Sequence, residues 1–198
     1  MNIKNVVFDL AGVVFERNHE RCPRELMEYF SYINSGEPMP SFWVDYDRGT
    51  RPMDDVARCL AEYRDSDFET ARNNMAQAIL YQEEIPSTKA LIADLKAAGY
   101  RLFVLSNMSK EYIEYLREKP VYSYFEGEVI SCETATVKPE ADIYRTLLQR
   151  YALDASQTVF IDDRRENVDA AAEQGICPFH FNRLNPDESC EKLRELLL

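Results

Sequence analysis

The feature that most constrains the fold is an alternation. Short apolar runs rich in Val, Ile and Phe stand at Ile3 to Leu10, Arg101 to Leu105, Glu128 to Ser131, Thr158 to Ile161 and Ile176 to Phe181. Each has the length and composition of a buried strand. Between them lie stretches of helical periodicity: Ser87 to Ala98 with Leu91, Ile92 and Leu95 on one face, Lys110 to Glu118, Glu140 to Tyr151 with Ile143, Leu147 and Leu148, and Glu166 to Gln174. Ser87 and Ser109 stand where N-caps belong, Pro139 where a first-turn proline is tolerated, and Gly99 and Gly175 just past helix ends. Strands alternating with helices predict an α/β core, a doubly wound parallel sheet covered on both faces.

One stretch breaks the alternation. From about Phe15 to Gln82 there is no convincing strand pattern, only amphipathic pieces at Pro23 to Tyr32, Met53 to Tyr63 and Phe68 to Leu80, joined through Gly36, Pro38, Pro40 and Gly49. The reading is a helical insertion over residues 15–87, a cap, set into a core made of residues 1–14 and 88–198. At 198 residues the chain suits one domain with such an insertion.

The surface chemistry narrows the partners. With 23 Lys plus Arg against 35 Asp plus Glu, the formal charge is −12, which repels a nucleic-acid backbone. Neither a nucleic-acid nor a membrane partner is expected, since no apolar run approaches the roughly 20 residues that span a bilayer. Five scattered cysteines without a C-x-x-C pair suit reduced thiols in a cytoplasmic protein. Monomer and homodimer both stay open. There is no P-loop, no dinucleotide fingerprint and no G-x-S-x-G elbow, and two histidines give little support to a Ser-His mechanism.

In an open parallel sheet, ligands bind outside the carboxyl ends of the strands. The chemically capable residues gather there: Asp9 closes VVFD, Ser106 and Asn107 close LFVLSN, Lys138 follows the third run, and Asp162 and Asp163 close VFIDD. Taken singly, each has an ordinary reading as a cap, a turn former or a solvated charge. Together they place three carboxylates, an ammonium, a hydroxyl and an amide around one crevice. Converging carboxylates repel unless protonated or bridged by a cation, and oxygen donors without His or Cys favour Mg²⁺.

The order FDLAGV, LSN, VKPE, FIDDRRENV resembles the haloacid dehalogenase (HAD) superfamily, in its small phosphatase branch with an α-helical cap after the first motif. Nearly the whole chain takes part, and the cap stretch YDRGTRPMDDVARCL resembles that branch more loosely. The resemblance implies a Rossmann-like core and an enzyme that hydrolyses a small phosphorylated metabolite, a sugar phosphate such as a sugar 1-phosphate. It implies that Asp9 attacks phosphorus to form an aspartyl-phosphate, and that Mg²⁺ is held by the Asp9 side chain, the Ala11 carbonyl and Asp163, with Asp162 helping directly or through water. It further implies that Ser106, Asn107 and Lys138 bind the phosphoryl oxygens while Asn167 orients the Asp pair.

One position departs from the pattern. Family phosphatases carry a second Asp two residues after the nucleophile, and Ala11 stands there. Loss of a general acid and base costs on the order of 10²- to 10⁴-fold. Three explanations stay open: a substrate whose leaving group needs little protonation, with Glu16 or His19 as other proton sources; a 2-haloacid dehalogenase, although that branch loses the Asp162–Asp163 type of pair; or a catalytically weak phosphoryl-binding or regulatory protein. Trp43, Tyr46 and Arg48 are candidate substrate contacts from the cap.

Overall fold

The computed structural model describes residues 2–18, 20–34 and 38–198; His19 and Gly36 lie outside the described residues. The elements run β1 (Asn5–Phe8), β2 (Phe15–Arg17), α1 (Arg24–Tyr29), α2 (Ser41–Asp47), α3 (Met53–Tyr63), α4 (Phe68–Leu80), β3 (Gln82–Glu84), α5 (Pro86–Ala97) and β4 (Arg101–Ser106). They continue with α6 (Lys110–Arg117), β5 (Gly127–Ile130), α7 (Ser131–Thr134), α8 (Ala141–Arg150), β6 (Thr158–Asp162), α9 (Arg165–Glu173), β7 (Cys177–His180) and α10 (Pro186–Leu197).

The five expected strands form one sheet in the order β5-β4-β1-β6-β7, parallel throughout. Side chains of a strand alternate between faces, and both faces are buried. Val6, Phe8, Leu102, Val104, Val159 and Ile161 pack with residues of α5, α6 and α10. Val7, Phe103, Leu105, Val129 and Phe160 pack with residues of α8 and α9. Burying each such side chain contributes about 1.5–3 kcal/mol. This explains why the strands read as unbroken apolar runs and not as alternating ones.

The insertion is helical, with one correction. β2 and β3 pair antiparallel, Phe15 opposite Glu84 and Arg17 opposite Gln82, as a two-stranded ribbon at its root. Each strand has three residues, mostly charged and half-buried, so no apolar alternation announces it. α1 to α4 gather on a separate aromatic cluster that includes Phe30, Tyr32, Trp43 and Tyr46, with ring centroids 5.7–6.4 Å apart between neighbours.

Other local expectations shift. Pro139 precedes α8 and is joined to Lys138 by a cis peptide bond, so it is outside the first turn. Ser87 lies inside α5, whose N-cap position is Ile85 with Pro86 next. Ser109 does occupy the N-cap of α6, without a side-chain capping bond. α2, α7 and α10 are further helices that the periodicity did not mark. No helix among the described residues is long and apolar enough to cross a membrane, and all five cysteines are free.

Candidate active site

Strand register builds the site. Phe8 of the central strand is level with Val104 of β4 and Ile161 of β6, so the residues just beyond them emerge together at the carboxyl edge. The Asp9 amide donates to the Ile161 carbonyl at 2.9 Å, continuing the ladder one step past β1. The sheet extends from β1 in both directions, through β4 and β5 on one side and β6 and β7 on the other, and the crevice at the carboxyl edge of such a sheet is where these folds place their ligands.

At that edge the polar side chains are bonded to one another. The Ser106 hydroxyl donates to Asp9 Oδ1 at 2.7 Å. Lys138 Nζ lies 2.9 Å from the same oxygen, 2.6 Å from Asp162 Oδ2 and 3.0 Å from the Leu105 carbonyl. Burial pulls the Lys138 ammonium down, but Asp162 and Asp9 outweigh it and leave the group raised, firmly charged. Asn167 Nδ2 donates to both oxygens of Asp162, at 3.1 and 3.0 Å, and the Arg164 amide donates to Oδ1 at 2.8 Å. Asn107 braces the backbone of Lys138: its Nδ2 donates to the Lys138 carbonyl at 2.9 Å and its Oδ1 accepts from the Lys138 amide at 2.7 Å.

All eight residues singled out from the sequence are therefore gathered at one end of the sheet, but in two layers. Asp9, Ala11, Asn107, Lys138, Asp163 and Asn167 line a cavity of about 830 Å³. Ser106 and Asp162 are fully buried beneath it, Ser106 holding Asp9 and Asp162 holding Lys138. Among the cap residues, Trp43 and Arg48 line the cavity. Tyr46 does not; its hydroxyl donates to Glu111 of α6 at 2.8 Å.

The carboxylates fit a metal ion. Asp9, Asp162 and Asp163 each offer an oxygen, all within 4.8 Å of one another. Burial, then the neighbouring carboxylates, raise Asp162 to about 7 and raise Asp163 as well, against the opposing pull of Lys138 and nearby arginines. A hard divalent cation relieves that crowding, and an all-oxygen donor set suits Mg²⁺. Gly12 makes the approach possible: at its φ of +78°, a Cβ would sit 2.8 Å from Asp163 Oδ2.

Among the lining residues that the sequence reading did not single out, three charged ones bear on the chemistry. Arg164 and Arg183 add positive charge to a wall where Lys138 and Arg48 were the expected cations; Arg183 Nε lies 3.8 Å from Asp163 Oδ2, and Arg164 reaches across to the Ile33 carbonyl of the cap. The RR that follows DD was a sequence signal for Arg164 alone. The third is Asp47, at the end of α2.

A doubly wound sheet carries a buried aspartate at the tip of its first strand, held by a hydroxyl and an ammonium beside a metal-competent acidic cluster, and this is the setting of a hydrolase active site. The chain belongs to the haloacid dehalogenase-like hydrolase family, whose model matches residues 3–175. It is similar to the sesquiterpene phosphatase astK of Aspergillus oryzae, 24% identical over 98% of this chain and 96% of that protein. It is also similar to an enolase-phosphatase E1 of Pectobacterium carotovorum, 24% identical over 87% of this chain and 85% of that one. Among solved structures, a variant of the HAD family enzyme bt-2542 of Bacteroides thetaiotaomicron, in complex with magnesium and inorganic phosphate, superposes with a TM-score of 0.70 at 25% identity, covering 91% of this chain and 95% of that one.

Proposed function

We propose that this hydrolase is a Mg²⁺-dependent phosphomonoester hydrolase that works through an aspartyl-phosphate on Asp9. The observation that carries the reading is the Asp9 carboxylate: buried, gripped through Oδ1 by Ser106 and Lys138, and standing beside Asp163 on a cavity floor. A carboxylate fixed by one oxygen is pre-oriented to attack with the other, which splits one difficult hydrolysis into two easier steps. Mg²⁺ held by Asp9, Asp163 and the Ala11 carbonyl, with Asp162 behind them, supplies charge neutralisation to carboxylate and phosphate. Lys138 and Asn107 take the phosphoryl oxygens, while Ser106 and Asn167 act as positioning residues for Asp9 and Asp162. In a chain of charge −12, the arginines that line the cavity make the attraction of an anionic ester local.

The cap bears on the alcohol. Its share of the cavity wall has an apolar majority, with Met27, Phe30, Ile33, Met39, Trp43 and Val44, beside Glu16, Arg17, Asp47, Arg48 and Gln82, whereas a sugar needs hydrogen-bond partners converging on every face. These walls favour an ester with a bulky apolar body, in line with the name of the A. oryzae relative. The sugar 1-phosphate reading rests on Ala11 and takes second place. A Mg²⁺-supplemented panel of prenyl, aryl and sugar phosphates, with Asp9→Asn as control, decides: release of phosphate that survives Asp9→Asn contradicts the mechanism, and faster turnover of sugar phosphates than of prenyl phosphates contradicts the substrate class. The free thiols suit a cytoplasmic setting.

A further inference from the structure

We propose that Asp47 of the cap is the proton donor and acceptor that the first motif lacks at Ala11. This rests on the reading of Asp9 as nucleophile and adds a second catalytic residue to it.

The placement of Asp47 is built by the structure around it. Its backbone carbonyl accepts from the Ser131 hydroxyl of α7, and that hydroxyl in turn accepts from the Met108 amide at 2.9 Å. Arg48 pairs with both carboxylate oxygens of Glu140, at 2.9 and 2.7 Å, and donates to the Ala135 carbonyl at 3.2 Å. Gly49, at φ +76°, lies so close to α7 that a Cβ would stand 2.5 Å from the Cys132 carbonyl oxygen. The turn Asp47-Arg48-Gly49 is thus latched onto the core through the backbone and the Arg48 side chain. The Asp47 carboxyl plays no part in the latch: among the described residues it is in no ion pair and accepts no hydrogen bond. It lines the same cavity as Asp9, Ala11 and Lys138.

Its surroundings keep a proton on it near neutrality. Burial, supported by the charge of Asp9, raises the carboxyl to about 7 against the opposing pull of Arg164 and Lys138. Tyr32 from the cap, Tyr112 from α6 and Cys132 from α7 also feel its charge. An acid poised near the working pH is suited to both halves of a two-step hydrolysis. Three glutamate carboxyls also line the cavity and are differently placed: Glu140 is committed to Arg48 and held below the usual range, Glu16 belongs to the β2 ribbon opposite Glu83, and Glu166, in the first turn of α9, lies 3.8 Å from Arg164.

The steps balance. An Asp9 oxygen forms a bond to phosphorus as the bond from phosphorus to the ester oxygen breaks; the departing oxygen keeps the electron pair and takes the proton from Asp47. Water then attacks the aspartyl-phosphate, gives its proton to the Asp47 carboxylate, and releases inorganic phosphate with Asp9 and Asp47 both restored.

The test uses a series of phosphate monoesters running from p-nitrophenyl to alkyl. Wild type is expected to turn them over with little dependence on the leaving alcohol, and kcat/KM for the alkyl esters is expected to fall as pH rises through about 7. Asp47→Asn is expected to lose roughly 10²- to 10³-fold on alkyl esters while still releasing nitrophenolate in a burst that leaves aspartyl-phosphate behind. Ala11→Asp added to Asp47→Asn restores the alkyl rates. Equal losses across the series, or a wild type already steeply dependent on the leaving group, overturn the proposal; the second result needs no variant to fold. A wild type that forms no aspartyl-phosphate instead defeats the Asp9 reading, and that is seen before any Asp47 variant is made.

Discussion

The carboxyl edge of the sheet and the cap wall above it are built on opposite plans. At the edge, Asp9, Ser106, Lys138, Asp162 and Asn167 are buried polar groups tied into a single network. The cap wall is mostly aromatic and aliphatic surface, with Phe30 and Trp43 meeting edge to face and Tyr32 and Tyr46 packed edge-on against Trp43 outside the cavity lining. A saturated polar network in a low-dielectric setting holds one geometry, because any loss strands a buried charge. An apolar wall sets shape and volume and exchanges residues at lower cost. On the function proposed above, the difference divides the labour: the sheet edge fixes the reaction, and the cap sets which alcohol leaves.

The comparison can be broken at either side. The largest effect is expected at the edge, where Asp9→Asn should lower phosphate release by about 10⁴-fold or more with the fold intact; residual turnover near wild type would remove Asp9 from the reaction. Lys138→Met should follow. It strands Asp9 and Asp162 without their shared cation and is expected to cost about 3–5 kcal/mol in urea unfolding, as well as activity; a variant as stable as wild type would mean the network does not bear on folding.

At the junction of the two regions, Gly49→Ala forces a Cβ into the Cys132 carbonyl at a left-handed backbone position. The expected cost is about 1–3 kcal/mol, with KM raised and kcat lowered together while Mg²⁺ affinity stays unchanged. Unaltered kinetics would show that the latch does not govern the cavity. The smallest effect concerns two carboxyls whose titration burial raises. Asp47 and Asp162 are both raised to about 7 in the folded protein, so the folded state holds extra protons between roughly pH 4 and pH 7, and stability without metal should decline as pH rises through that window. Mg²⁺ should therefore raise the melting temperature more at pH 8 than at pH 5, and an equal gain at both would contradict the crowding assigned to the acidic cluster.

The same division decides what the sequence reveals. The sheet is legible because strands buried on both faces must be continuous apolar runs, and chemistry placed at their ends follows from the topology: Asp9, Ser106, Lys138 and Asp162 are found where that rule puts them. Burial distinguishes their roles and is not written in the motif. Ser106 and Asp162 look like ligand-binding residues in sequence and lie beneath the cavity in the structure. The ribbon of β2 and β3 is hidden because three-residue strands rich in Glu carry no periodicity. α2 is hidden too, and Asp47 with it: in the stretch YDRGT, Arg48 draws attention as the charged contact, whereas it is engaged with Glu140 and its neighbour faces the cavity. What latches onto what across 84 residues, as Asp47 does to Ser131, is a property of the folded chain alone.

The central claim is that Asp9 becomes phosphorylated. Rapid acid quench of the enzyme turning over a prenyl or aryl phosphate, followed by mass analysis of its peptides, measures this directly. Phosphate on the peptide that carries Asp9, dependent on Mg²⁺ and absent from Asp9→Asn, is the predicted result; steady turnover with no phosphate on that peptide, or phosphate release undiminished in Asp9→Asn, would contradict it.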